Sequence, residues 1–477
     1  MASGDPEGLR RTAGPGLLWA LGVAYVISGD FFGWNFGLRD GGWSAMFVAT
    51  AAMAVLYGAL VACIAELAAA TPVAGGAFAF ARRAFGPLGG YLTGIAVAIE
   101  YTFAPAVIAV GLGGYLAGWL GDPDGVISTW TPVVGYAACV AINLAGAAVS
   151  LRALLVVTVL AAAALVAWAA VMVVAVPPGG WQPLQAALSQ PPSLAAVAAA
   201  LPAAGWFFLA VEGVPMAAEE THDPARDLPR GMAAAMITLV ALALLVLSLA
   251  PLGGGVRSIA QAGNPLPQAL AALGHRGGWF TLVSAIGLVG LFASMLSIVY
   301  ADSRHLYALA RAGHLPRWLA RTDRRGVPRT ALVVGAAVGL LALLLARPLA
   351  PSGVAPADLL MQVAVFAALA SYVAIAASHL WLRARAPALP RPYRTPWGAL
   401  LPMLVVGLAL AGGIAGAWSV PAAGRALAIL GVLLAVAAID FVLVVRRRIA
   451  GRTLEQELAI VRAAELGADV TSPAADR

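Results

Sequence analysis

Apolar residues run through this chain in long blocks, separated by short stretches rich in Arg, Pro and Gly. The blocks fall at roughly 15–38, 43–70, 88–118, 130–149, 153–176, 194–220, 231–251, 279–302, 330–349, 357–381, 398–418 and 424–445. A helix needs about 20 apolar residues to cross the hydrocarbon core of a bilayer, about twice what a barrel strand needs. The pattern therefore predicts an all-α membrane protein with 12 transmembrane helices. Two blocks are interrupted at their centres. The first carries Ser28-Gly29-Asp30 and the sixth carries Glu212-Gly213 followed by Pro215. Interrupted helices five spans apart are the mark of an inverted-repeat secondary transporter, whose substrate site lies between the two breaks. There the freed main-chain groups bind substrate and Gly permits close approach. Small residues that only ease helix crossing would give the same local pattern.

Composition removes the soluble alternatives. The 477 residues are 61% hydrophobic and 11% charged, with a mean hydropathy of +0.89; soluble domains run at about 45–50% and about 25%. The net charge of +7 would suggest nucleic acid in a soluble chain, but all 29 basic residues are Arg and none is Lys. With both termini cytoplasmic, 24 of the 29 arginines lie on the inner side and 5 on the outer, as the positive-inside rule requires for a multi-pass plasma-membrane protein of bacterial type. The Arg304–Arg329 cluster is explained by that orientation. The first block is too rich in Gly and aromatics for a cleaved leader and is expected to remain. Cys63 and Cys139 lie in apolar blocks and read as small core residues, and the five His are scattered. No metal, cofactor or membrane-enzyme chemistry is expected.

Charge inside a bilayer is costly, so acids within spans are functional candidates. Six lie in or near spans: Asp30, Glu66, Glu100, Glu212, Asp302 and Asp440. Glu66 and Asp302 sit near Arg82, Arg83 and Arg304 and are expected in ion pairs; Asp440 is peripheral. Glu100 starts Glu100-Tyr101-Thr102-Phe103 in mid-span, either lining the site or buried as a core acid. Asp30 is the sharpest clue. A carboxylate placed where freed amides would receive an anion repels a substrate carboxylate and attracts a protonated amine. Aromatics nearby, Phe31, Phe32, Trp34, Tyr101, Phe103, Trp206, Phe207 and Phe208, offer cation–π cover, although packing is the commoner use of such rings. Asn35, Asn143 and Gln362 are candidates for a hydroxyl, or helix-to-helix hydrogen bonds.

Three stretches resemble the amino acid, polyamine and organocation transporter superfamily: residues 66–87 from Glu66 through Pro72, Gly75-Gly76 and Gly86-Pro87; residues 218–231 with Glu219-Glu220 and Asp223-Pro224; and residues 303–316 from Ser303-Arg304 to Gly313 and Pro316. Residues 27–38 and Val211–Pro215 look most like its ethanolamine permease branch. The resemblance implies a five-plus-five inverted repeat in a transport core at 15–381, with spans 1–5 at 15–176 and spans 6–10 at 194–381. Spans 11 and 12 with their preceding loop follow at 382–445, between cytoplasmic tails at 1–14 and 446–477. Asp30 departs from the glycine-rich loop of carboxylate-binding members. The absence of Lys removes the amine that some proton-coupled relatives carry in span 5.

The expected activity is uptake of a small protonated amine, ethanolamine fitting best, by alternating access. Expected substrate-binding residues are Ser28, Gly29, Asp30, Phe31, Phe32, Glu100, Tyr101, Phe103, Trp206, Phe207, Ala210, Glu212 and Gly213. Glu212 and Glu100 are proton-coupling candidates, and a sodium site at Ser294 and Ser297 is a weaker one, since serines in membrane helices commonly bond their own backbone. The rivals are a permease for small neutral amino acids on the same fold and a non-transporting sensor or accessory subunit.

Overall fold

A computed structural model describes residues 14–71, 75–122, 124–144, 151–323, 327–420, 422–449 and 456. The two tails fall almost wholly outside these residues, as do Pro72 in the first resembling stretch and the side chains of Glu219 and Glu220 in the second.

Every described element is helical. In chain order they are α1 (Pro15–Val26), α2 (Ser28–Phe31), α3 (Phe36–Asp40), α4 (Gly42–Ala70), α5 (Gly76–Leu120), α6 (Val126–Leu144), α7 (Leu151–Ala175), α8 (Gln182–Ser189), α9 (Leu194–Trp206), α10 (Pro224–Leu249), α11 (Val256–Ala260), α12 (Pro265–Ala272), α13 (Gly278–Arg311), α14 (Arg329–Leu349), α15 (Pro356–Arg385), α16 (Leu400–Ser419), α17 (Ala423–Asp440) and α18 (Arg446–Arg448). Among the described residues, eleven segments are long and apolar enough to cross a membrane. The first expected span is not one of them. It is divided into α1, α2 and α3, and α1 has only 12 residues.

The third span begins earlier than the hydropathy pattern placed it. α5 starts at Gly76 and bends at Gly86, whose φ of 78° is open to glycine, just before Pro87. Its interior Pro105 cannot donate to the Tyr101 carbonyl one turn back, which loosens the helix beside the central acids. The loops also fold: α8, α11 and α12 occupy connections that the apolar pattern leaves blank. Asp122 precedes α6 and accepts from the N–H groups of Ile127 and Ser128 at 3.0 and 2.8 Å. Those donors, Ser128 foremost, hold its carboxyl below the usual range.

Burial sorts the helices by role. α5 and α15 are nearly enclosed, whereas α6, α14, α16 and α17 present wide apolar faces outward. α5 packs chiefly on α15 and α13, and α1 on α10. The two interrupted segments thus sit at the centre, walled by α5, α13 and α15.

α15 is fastened at three depths. Near its first turn, Asp358 is buried and paired with Arg39 of α3. At its middle, Tyr372 reaches Glu212 and Tyr57. At its far end, Arg383 Nε donates to Glu66 of α4 at 2.9 Å. Glu66 also receives the Thr395 N–H at 2.6 Å and lies 3.0 Å from His379 Nε2 and 3.2 Å from Arg391 Nε. The expected pairing of Glu66 with Arg82 or Arg83 is therefore replaced by one with residues more than 300 positions away, and Arg83 bonds Thr71.

Candidate functional site

The first break spans Phe32 to Asn35. Phe32 turns extended, with φ −155° and ψ 151°, and Gly33 takes φ +99°. Asn35 stabilises this turn, its Oδ1 accepting from the Gly33 N–H at 3.2 Å. Its Nδ2 donates to the carbonyls of Ile259 and Ala262 at 3.0 and 3.1 Å. Asn35 is therefore spent on architecture rather than presented to a hydroxyl. Of the other two amide candidates, Asn143 Nδ2 bonds Cys139 O one turn back, and Gln362 Nε2 bonds Asp358 while its Oε1 is buried without a partner among the described residues.

The second break follows Trp206. α9 ends there, the chain turns through Phe207–Ala210, and a 3-10 segment runs Val211–Glu220. Ala210 has φ +76°, a left-handed conformation costly for a residue with a Cβ and characteristic of functional turns.

The two breaks meet. A Cβ on Gly29 would stand 2.7 Å from the Trp206 carbonyl oxygen and 3.2 Å from Phe207 Cα, so only glycine lets these backbones touch. Trp206 Nε1 donates back to the Phe32 carbonyl at 2.9 Å. Trp34 stacks on Phe207 with centroids 5.6 Å apart, and Phe208 lies against Tyr57. Phe31 packs on Gly290 and edge-on to Tyr115, whose hydroxyl donates to the Phe31 carbonyl at 2.9 Å. Phe32 packs on Gly111 and Phe36. Phe103 is buried in α5 but pairs with no ring of either break. Several of the expected cation–π rings thus serve as packing between spans.

Three carboxylates occupy this centre, in two groups. Asp30 is fully buried and neither of its oxygens has a hydrogen-bond donor. Glu100 and Glu212 are electrostatic neighbours and share one phenol. Tyr372 Oη donates to Glu212 Oε2 at 2.9 Å and lies 3.4 Å from Glu100 Oε1 and 3.5 Å from Tyr57 Oη. Among the described residues, Glu100 Oε2, Glu212 Oε1 and Trp34 Nε1 are buried without a well-aligned partner, and the buried Tyr101 hydroxyl stands beside Glu212. Gly213 brings the second break against Tyr101 and Tyr25, with the Tyr101 hydroxyl 3.0 Å from where a Cβ would be. Buried polar groups are nearly always hydrogen-bonded, so this concentration of unmatched acceptors and donors around two helix breaks marks the centre as the candidate site.

Ser28 joins α2 to α13. Ser294 Oγ lies 2.8 Å from Ser28 Oγ and donates to the Tyr25 carbonyl at 3.0 Å, while Ser297 Oγ bonds Ala293 O of its own helix. Tyr372 and Tyr57 were missed by the sequence reading. Neither lies in a break, and a tyrosine within an apolar run carries no periodic signal.

A chain whose described elements are all helical, with many membrane spans, two broken segments meeting at the centre and buried acids beside them without a counter-charge, has the architecture of a multi-pass secondary transporter. A family model described as amino acid permease matches residues 19–444, and the chain belongs to that family. It is a transporter and not an enzyme. The branched-chain amino acid permease BcaP of Bacillus subtilis is 27% identical over 427 residues, covering 85% of this chain and 88% of that one. An uncharacterised transporter of Mycobacterium tuberculosis is 31% identical over 355 residues, 71% of this chain and 74% of its own. The methylthioribose transporter of Bacillus subtilis is 23% identical over 431 residues, with 86% and 89% covered. The family is thus established at the level of amino acid permeases and not at that of the ethanolamine branch.

Proposed function

We propose that this permease takes up a small protonated amine, with ethanolamine the best fit, by alternating access around the breaks after α1 and α9. The observation that carries the reading is Asp30: a fully buried carboxylate at the first break with no donor on either oxygen. An ammonium group supplies the donors and the charge it lacks. A substrate carboxylate at the same place adds repulsion instead. In this reading Ser28, Gly29, Phe31, Phe32, Trp206, Phe207 and Ala210 shape the site at the junction, while Glu100, Tyr101, Phe103, Glu212 and Gly213 line its second half. Glu212 and Glu100 are the acids suited to exchange a proton, since two neighbouring carboxylates relieve their repulsion by taking one up.

The architecture proposed is a five-plus-five repeat of spans 1–5 and 6–10 with two further spans. The broken first segment counts as one, giving twelve, and both termini are cytoplasmic. An inward-negative potential draws a monovalent cation with about 2.3 kcal/mol per ~100 mV, enough for roughly 40-fold accumulation without a coupling ion.

Likeness to a branched-chain amino acid permease over most of both chains favours a second reading, a neutral amino acid substrate. Uptake of radiolabelled ethanolamine into proteoliposomes, with alanine and leucine as competitors, separates the two. The amine reading expects uptake that neither amino acid inhibits and that Asp30→Asn abolishes in a folded protein. Saturable leucine uptake insensitive to ethanolamine would replace it with the second reading.

A further inference from the structure

Asp302 is an acid that the transport reading leaves unused. It lies on α13 and is 3% exposed. Thr102 of α5 and Tyr136 of α6, both near mid-span, and Gly335 of α14, within two turns of that helix's start, surround it. The expected ion pair with Arg304 does not form, and the Arg304 guanidinium lies over the Tyr300 ring, 4.3 Å from its centroid. Asp302 has no ion pair among the described residues. Its hydrogen bonding is thin, a single hydroxyl, Thr102 Oγ1, standing 3.4 Å from each carboxylate oxygen. The neighbouring Tyr136 hydroxyl is buried with no partner.

An ionised carboxylate at bilayer depth requires a counter-charge or several strong donors, and Asp302 has neither. A proton meets the need without requiring space, which matters because space is lacking. A Cβ on Gly335 would fall 2.3 Å from Asp302 Oδ2, and one on Gly339 would fall 2.4 Å from Tyr136 Oη. The carboxyl and the phenol therefore lie against the bare backbone of α14, with no room for the coordination shell of a metal cation.

The position is separate from the central acids. Glu100 and Thr102 are two residues apart on one helix and so face away from each other; Glu100 meets Tyr372, whereas Thr102 meets Asp302. One contact joins the two sides of α5. His305, a turn beyond Asp302, bonds the Gly94 carbonyl at 2.8 Å and sets its ring edge-on to Tyr101 at 6.1 Å. Among the described residues, the ionisable groups around the Asp302 site are thus Tyr136 and, beside it, Cys139 from α6 and Arg304 and His305 from its own helix, while α5 and α14 present Thr102 and Gly335.

We propose that Asp302, with Thr102 and Tyr136, is a proton-binding site distinct from the Glu100–Glu212 pair, and that it exchanges its proton during the transport cycle. The site goes beyond the amine reading and is independent of substrate identity. Its direct test contains no substrate: infrared difference spectra of the full chain in lipid vesicles between acidic and alkaline buffer. The wild-type spectrum is expected to contain a protonated-carboxyl carbonyl band that Asp302→Asn loses and Tyr136→Phe shifts in titration midpoint. An Asp302→Asn spectrum that matches wild type overturns the proposal. If Asp302→Asn does not fold, Tyr136→Phe decides, and an unmoved midpoint overturns it. Uptake supplies the second arm: Asp302→Asn is expected to flatten the pH profile of transport while leaving substrate affinity unchanged. Failure of ethanolamine uptake in the wild type would count against the amine reading alone, because the infrared band does not depend on it.

Discussion

Substituting Gly29 by Ala tests whether the junction of the two breaks is as tight as the geometry says. The added methyl would meet the Trp206 carbonyl oxygen at 2.7 Å, about 0.7 Å short of ordinary contact, with Phe207 Cα behind it at 3.2 Å. Both obstacles are main chain, so no rotamer change relieves them and the break after α1 must move away from the break after α9. Overpacking of this kind costs about 1–3 kcal/mol. Gly58 of α4 is the control: a Cβ there meets nothing within 4 Å, and Gly→Ala inside an unobstructed helix gains roughly 0.5–1 kcal/mol. The two substitutions change the chain by the same methyl and are expected to shift stability in opposite directions. Thermal unfolding of both variants in one detergent, followed by tryptophan fluorescence, reads the difference. If the junction geometry governs substrate binding, Gly29→Ala also weakens substrate affinity by about 5- to 150-fold, following from the same energy. Equal melting temperatures for the two variants would refute the claim that the breaks touch through Gly29.

Other consequences are as direct. Glu66→Gln removes the negative charge shared by Arg383, Arg391 and His379 and turns one of the two acceptor oxygens into a donor; it is expected to cost roughly 3 kcal/mol, the low end for a buried pair because Arg383 is partly exposed, and the yield of monodisperse protein on size exclusion reports it. Tyr372→Phe deprives Glu212 of its 2.9 Å donor and is expected to change substrate affinity by the equivalent of about 1–3 kcal/mol, visible in binding with the protein still folded. Replacing sodium by potassium is expected to leave uptake unchanged, since the Ser294 hydroxyl is engaged by Tyr25 and Ser28 and that of Ser297 by Ala293; a sodium requirement would refute this. Asp122 titrates with a defined sign: its folded value lies below its unfolded one, so its support of α6 is complete above about 3.9 and is lost as pH falls from there through the lower folded value. The protection of the Ile127 and Ser128 amides relative to their intrinsic exchange rate at each pH is expected to fall on acidification in wild type and to be low at every pH in Asp122→Ala.

The spans and their interruptions were legible because membrane burial writes itself as uninterrupted apolar runs, and Ser28-Gly29-Asp30 and Glu212-Gly213 break those runs visibly. What joins distant segments left no local trace. Tyr372 and Glu212 are 160 residues apart, and Arg383 and Glu66 are 317 apart. Nearest charge in sequence was therefore a poor guide: Glu66 bypasses Arg82 and Arg83, and Asp302 bypasses the arginine two residues away. The packing of the aromatic residues was hidden for a related reason, since Phe31 and Phe32 fill clefts opened by Gly290 and Gly111 on helices far along the chain.

The three fastenings of α15 act together as those of a beam held at both ends and at its midpoint. Tilting it about the Tyr372 pivot would load the Arg39–Asp358 clasp and the Glu66 cluster at once, each on the opposite side of the membrane. A rigid swing must then strain both ends simultaneously, whereas a bend at the pivot releases one end and spares the other. On the proposed alternating-access cycle, such a bend at the pivot would open one aqueous side while the fastening on the other holds.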